Sequence, residues 1–154
     1  SSFVVEDARH RVFFSGDTGL TDQYAQIRRH FGGERGSPFD LVVLEVGAYH
    51  PSWGDIHLGP AHALEALALL GGGAFLPVHW STFSLALHAW DEPAETLLQL
   101  APAQGVHLVM PRLGEPVHPL DVDAVRPWWR GVDTLDAAPA EALSWPRALP
   151  FPLD

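Results

Sequence analysis

The chain has no cysteine and no lysine. Without thiols there is neither a disulfide framework nor thiolate ligation, so any metal must be held by His, Asp or Glu. The basic residues are nine scattered arginines, and against nineteen acidic residues they leave a formal net charge of −10. That field repels nucleic-acid phosphates, and direct nucleic acid binding is not expected. Long apolar runs are missing too, none approaching the roughly 18 residues of a membrane-spanning helix. The start, Ser1-Ser2-Phe3, shows no basic stretch leading into an apolar one. The expectation is a cytoplasmic protein, or a piece of one, without a transmembrane segment. Charged residues are sparse at 18% while hydrophobic ones reach 47% of the 154 positions, a balance that excludes a disordered chain. A chain of this length is one domain's worth and buries about two thirds of its unfolded surface. Nine histidines remain as the main ligand pool.

Two short apolar runs end on ligand-type side chains. Val12-Phe13-Phe14-Ser15-Gly16-Asp17-Thr18-Gly19 is a strand pattern stopped by glycines on either side of a carboxylate, and Phe75-Leu76-Pro77-Val78-His79 stops on a histidine. Between and around them, Phe3 to Val5 and Arg11 to Phe14 read as two strands joined by a polar turn. Leu20, Tyr24, Ile27 and Phe31 recur at helical spacing, with Thr21 or Asp22 as N-cap and Gly32-Gly33 as the stop. Asp40 to Gly47 is a continuous apolar run, the pattern of a central strand covered on both faces. Pro60 to Leu70 reads as a helix with Pro at its first position and Gly71 after its last turn. Beyond Val78 come a helix over 92–104 and a strand over 106–110. The fold class is therefore α/β, with the order βαβαβαβ after the opening turn and a mostly parallel sheet. In such sheets ligands collect beyond the carboxyl ends of the strands, where Asp17, the 47–59 loop and His79 all fall. Residues 1–120 form the ordered body. Residues 121–154, rich in Pro and Trp and including Trp128, Trp129 and Trp145, form an irregular tail packing on it.

The residues now carry a resemblance. Phe14-Ser15-Gly16-Asp17-Thr18-Gly19, then Val46-Gly47-Ala48-Tyr49-His50-Pro51-Ser52-Trp53 with His57 and Pro60, then Pro77-Val78-His79-Trp80-Ser81-Thr82-Phe83 stand in the order and at the rough spacing of one family. Together they resemble the C-terminal half of a metallo-β-lactamase-fold hydrolase, in the branch of N-acyl-phosphatidylethanolamine-hydrolysing phospholipase D. The resemblance implies half of an αββα sandwich, with two metal ions, usually zinc, at the sheet edge. It makes Asp17 the carboxylate that bridges the metals and a catalytic residue. It makes His79 a metal ligand, His57 a catalytic histidine near the scissile phosphodiester, and Tyr49 and Trp53 parts of the substrate loop. A carboxylate can serve two cations about 3.5–4 Å apart, and a metal-activated hydroxide is then the nucleophile. The implied substrate is a small-molecule or lipid phosphodiester.

Several positions depart from that family. Its first-half motif His-x-His-x-Asp-His is absent, so the implied partner is the missing N-terminal half, in cis or in trans, and self-association into a homo-oligomer is open. Ile56 replaces a frequent Gln before His57, Ser81 stands where glycine is common, and Glu45 is an acid at a strand end where an apolar residue is expected. Three other functions compete. A half-domain with few ligands can be a catalytically incomplete scaffold or one part of a split hydrolase. The run Phe39 to Glu45 also resembles the strand that ends on the phospho-acceptor acid of a receiver-like signalling module, although the lysine of such modules is missing. Asp17-Thr18-Gly19 matches one loop of an aspartic protease, which would require an all-β chain and a second copy. His50 reads as a loop residue and His62 as the exposed face of a helix. His10, His30, His88, His107 and His118 read as structural or solvated.

Overall fold

The computed structural model describes residues 1–32 and 37–134. Strands β1 (Phe3–Glu6) and β2 (Arg11–Phe14) form an antiparallel hairpin that places Phe3 opposite Phe14. Asp7 closes the turn by accepting the N–H groups of Arg9 and His10, each at 2.7 Å. Helix α1 (Gln23–Gly32) begins two residues after Thr21, whose hydroxyl oxygen accepts the Gln23 N–H at 3.3 Å. Its apolar stripe of Tyr24, Ile27 and Phe31 packs into the core. Strand β3 (Leu41–Glu45) pairs in parallel with β2 on one side and with β4 (Ala74–Val78) on the other, giving the order β1-β2-β3-β4. Val42 to Glu45 are all buried, as the unbroken apolar run demanded of a central strand. Helix α2 (Gly59–Leu70) lies against β3 and between α1 and α3 (Glu92–Leu100). Its Leu64, Leu67 and Leu70 meet Phe13, Phe39, Leu44, Phe75 and Leu97 in a single core. Gly71, left-handed at φ 97°, closes it by donating its N–H to Ala68.

Two elements differ from the sequence expectation, both because of proline. The strand expected over 106–110 is only a parallel bridge between Phe75 and Leu108. Phe75 donates to His107 O and Val109 donates to Phe75 O, each at 2.8 Å. The next rung would need an N–H from Pro77, which has none, and Pro111 follows immediately on the other side. The helix expected over 92–104 ends at Leu100 and gives way to a 3-10 turn, Pro102–Gln104. Pro102 cannot donate to a carbonyl four residues back, so the α-helical ladder stops there.

The start of the expected tail is held by specific contacts. Two 3-10 turns, Pro119–Asp121 and Trp128–Thr134, follow the body. Trp129 is fully buried, and it meets Trp80 edge to face at 5.2 Å and Trp128 at 5.8 Å. Trp145 and the rest of 135–154 lie outside the described residues. Glu95 on α3 anchors this turn, accepting from Trp129 Nε1 at 2.7 Å and from Arg130 Nε and Nη2 at 2.8 and 2.6 Å. The Arg130 guanidinium first, and the Trp129 indole second, lower the Glu95 carboxyl to about 2. A carboxyl depressed in the folded state stabilises fully above its unfolded value, and that contribution is lost as pH falls toward the folded one. The stability difference between the unaltered chain and Glu95→Gln should therefore be present at pH 6 and fade as the pH is lowered from about 4.5 toward 2. Urea unfolding across that range measures it, and a pH-independent difference would contradict the assigned anchor.

Candidate metal centre

The three parallel strands β2, β3 and β4 end at one edge of the sheet, and each delivers a ligand-type side chain there. Asp17 lies three residues past β2, Glu45 is the last residue of β3, and His79 follows β4 directly. His57 comes from the loop that leads into α2. His79 Nε2 lies 3.8 Å from Asp17 Oδ1, and the His57 and His79 rings stack with centroids 5.0 Å apart.

This convergence depends on missing side chains. A Cβ on Gly47 would fall 1.9 Å from the His79 carbonyl oxygen, and one on Gly19 would fall 1.7 Å from the Asp55 carbonyl oxygen. Glycine at 47 lets the ends of β3 and β4 touch, and glycine at 19 lets the Asp17 turn meet the loop that carries His57. His79 and Ser81 adopt positive φ, 66° and 76°. The left-handed region costs a non-glycine residue about 1–2 kcal/mol, which explains why glycine suits position 81. A ligand-type residue held in that conformation at a strand end is where backbone strain accumulates in functional sites.

Glu45 is the residue that sequence reasoning left without a role. Its side chain is 1% exposed, and it accepts from Thr18 N at 3.2 Å and Leu58 N at 3.1 Å. Both carboxylate oxygens also lie 3.0 Å from His57 Nδ1. Burial pushes its pKa up, opposed in turn by the Thr18 and Leu58 N–H groups and by His57. The sequence did carry a signal: an acid ends an otherwise apolar strand, between two strands that also end on ligand-type residues.

The donor chemistry suits a divalent cation at Asp17 and His79. Two ligands at about 2.1 Å from one zinc can sit up to roughly 4.2 Å apart, and the Asp17–His79 separation falls within that span. The Asp17 side chain is 68% exposed, open to a cation from the solvent side. Ligand-type atoms of Glu45, His57 and His79 also lie within 4.8 Å of one another. Glu45 is nevertheless a poor ligand, because a cation on its oxygens would compete with two backbone N–H donors and the His57 ring in a buried site. The same donors close the receiver-like reading: the acid at the end of β3 is buried and occupied, and cannot take up a phosphoryl group. The aspartic-protease reading fails as well, since Asp17 faces a histidine in place of a second carboxylate, and the strands alternate with helices.

Tyr49 and Trp53 occupy the connecting loop, but among the described residues their bonds and ring contacts go elsewhere. The Tyr49 hydroxyl donates to Glu92 Oε1 at 2.8 Å, and its ring stacks on His88 at 4.5 Å. Desolvation, with Glu92 as acceptor, pushes the phenol pKa upward. Trp53 is 38% exposed and leans on His50, whose Nδ1 accepts the Ser52 N–H at the start of the 3-10 turn Pro51–Trp53.

The family model described as a beta-lactamase superfamily domain matches residues 1–80, which include Asp17, His57 and His79. An uncharacterized protein of Mycobacterium tuberculosis is 41% identical over 133 residues, covering 84% of this chain and 34% of that protein. The N-acyl-phosphatidylethanolamine-hydrolyzing phospholipase D 1 of Caenorhabditis elegans is 32% identical over 108 residues, covering 68% of this chain and 29% of that protein. The chain thus spans about a third of the length of each of these two relatives. The fold is similar to that of the isothiocyanate hydrolase from Delia radicum gut bacteria, with a TM-score of 0.57 and 21% identity over 76% of this chain and 42% of that one. A glycine-framed aspartate and a strand-end histidine at the edge of a mixed sheet, the family match to residues 1–80 and the likeness in fold agree, and the chain belongs to the metallo-β-lactamase superfamily of metal-dependent hydrolases.

Proposed function

We propose that this chain forms part of a phosphodiesterase of the phospholipase D-like branch, in which Asp17 and His79 hold divalent metal, zinc first among the candidates. The observation that carries it is the 3.8 Å approach of His79 Nε2 to Asp17 Oδ1 at the carboxyl ends of parallel strands, with His57 stacked alongside. The phospholipase D relative supports the substrate class, a phosphodiester on a lipid or small molecule. A bound divalent cation would act as a Lewis acid and lower the pKa of water toward neutrality. The chain's own residues supply the rest. Asp17 contributes a carboxylate able to give one oxygen to each of two cations. His57, 17% exposed and bonded through Nδ1 to Glu45, presents Nε2 to the substrate, and the protonated ring can donate from it to a phosphate oxygen or the leaving group. Trp53 and the exposed Ile56 give the loop an apolar rim suited to a lipid substrate.

The remaining metal ligands belong to a His-x-His-x-Asp-His half, in cis or in trans. Edge strand β1 fits that arrangement, with Phe3, Val5 and the neighbouring Phe14 exposed where a further layer can pack. One observation favours a catalytically incomplete scaffold instead: Glu45, the buried acid at this edge, is already taken by two backbone N–H donors and the His57 ring. Metal content and phosphodiester hydrolysis, measured on this chain alone and after co-expression with a matching half, separate the two readings. Two metals and turnover in the complex support the hydrolase, and neither in the complex supports the scaffold. In the active complex, His57→Ala should lower turnover by about a hundredfold or more without releasing metal. Loss of metal together with activity would make His57 a ligand and overturn the role given to it.

A further inference from the structure

We infer that Glu45 is a positioning residue: its buried carboxylate fixes the His57 ring in the tautomer with the proton on Nδ1 and ties together the two turns that form the site. The inference rests on the hydrolase reading for what His57 does, but the hydrogen-bond geometry behind it does not.

Glu45 ends β3 at the centre of the sheet and meets three partners from two segments of the chain. Thr18 N–H comes from the turn that carries Asp17, while Leu58 N–H and the His57 ring come from the end of the loop that leads into α2. A carboxylate is the side chain suited to this position, because it accepts only and has lone pairs enough for all three. An apolar residue there would leave two backbone N–H groups and a ring nitrogen buried without partners, each costing about 1–3 kcal/mol. The strand therefore breaks its apolar pattern at the point where the loops need a common acceptor.

The same donors decide where the shared proton lies. Burial raises the Glu45 pKa, and the Thr18 and Leu58 N–H groups oppose it. With both of those donors on Oε1, the ionised acid is the form that all three partners can donate to, and an ionised carboxylate 3.0 Å from Nδ1 can only accept from it. Nδ1 must then carry hydrogen, and Nε2 is the nitrogen the ring keeps for other partners. A carboxylate that holds the far nitrogen of an active-site histidine sets both its tautomer and its angle. Here it also sets the ring's stacking on His79.

The test is two-bond proton–nitrogen correlation NMR on the 15N-labelled full chain, in chelator and at a pH where the ring is neutral, with the His57 signals assigned by their loss in His57→Gln. The unaltered chain should show Nδ1 protonated and Nε2 bare. In Glu45→Gln, the side-chain oxygen still satisfies Thr18 and Leu58 while the new NH2 group faces Nδ1, so His57 should switch to the Nε2–H form. An Nε2–H ring in the unaltered chain overturns the inference, as does an Nδ1–H ring that persists in Glu45→Gln. If the Gln variant does not fold, the spectrum of the unaltered chain decides alone. No outcome depends on turnover, so failure of this inference and failure of the phosphodiesterase reading can be told apart.

Discussion

Asp17→Asn should remove bound metal and lower phosphodiester turnover of the assembled hydrolase by about a thousandfold or more, equivalent to about 4 kcal/mol of transition-state stabilisation. The amide keeps the size and shape of the carboxylate but loses the charge and one of the two oxygens that could serve two cations. Stability should hardly change. The Asp17 side chain is 68% exposed, and among the described residues it approaches His79 at 3.8 Å, so the substitution belongs with surface changes worth about 0.5 kcal/mol or less. Metal analysis, turnover and urea unfolding on the same preparation check all three statements. Full turnover with a full metal complement would remove Asp17 from the site.

The second large effect is expected at a residue with no side chain. Gly47→Ala places a Cβ 1.9 Å from the His79 carbonyl oxygen, backbone against backbone, with no flexible side chain able to yield. The ends of β3 and β4 must separate to admit it, against the bond from Val46 N–H to Val78 O at 3.0 Å. Overpacking of this kind costs about 3 kcal/mol, at the upper end for such substitutions. The displacement falls on His79 itself, so metal uptake should fall together with the urea midpoint. A stability change below about 0.5 kcal/mol would show that the two strand ends are not in contact. Because Asp17→Asn spares the fold and Gly47→Ala does not, the pair separates loss of a ligand from loss of the frame that holds it.

The local pattern of the chain was sufficient for most of the scaffold. The unbroken apolar run from Leu41 to Leu44 can only be satisfied inside a sheet, and Tyr24, Ile27 and Phe31 only by a helix laid against one. Where local reading failed, a single proline intervened. Pro77 satisfies the apolar pattern of β4 but withholds the N–H that a fifth strand would need, and Pro102 ends α3 early. Periodicity records which side chains are apolar and carries no record of which N–H a neighbouring strand requires.

The placing of Asp17 and His79 at one edge was legible because each follows a recognisable strand, and parallel strands must end at the same edge. Glu45 was not. Its position in the sequence identifies an acid at a strand end, but its role lies in partners contributed by Thr18 on one side and by the adjacent His57 and Leu58 on the other, from two separate segments of the chain. Tyr49 shows the same limit from the other side: a loop aromatic suggests a substrate contact, and the fold commits its hydroxyl to Glu92, forty-three residues away. The sequence by itself determined most of the elements, the parallel order of β2, β3 and β4 and the two ligand-type residues just past strand ends, because these follow from periodicity and from the residue types that stop a strand. Only the tertiary structure decided which buried acid meets which histidine, because that pairing depends on how closely Gly19 and Gly47 let the turns approach.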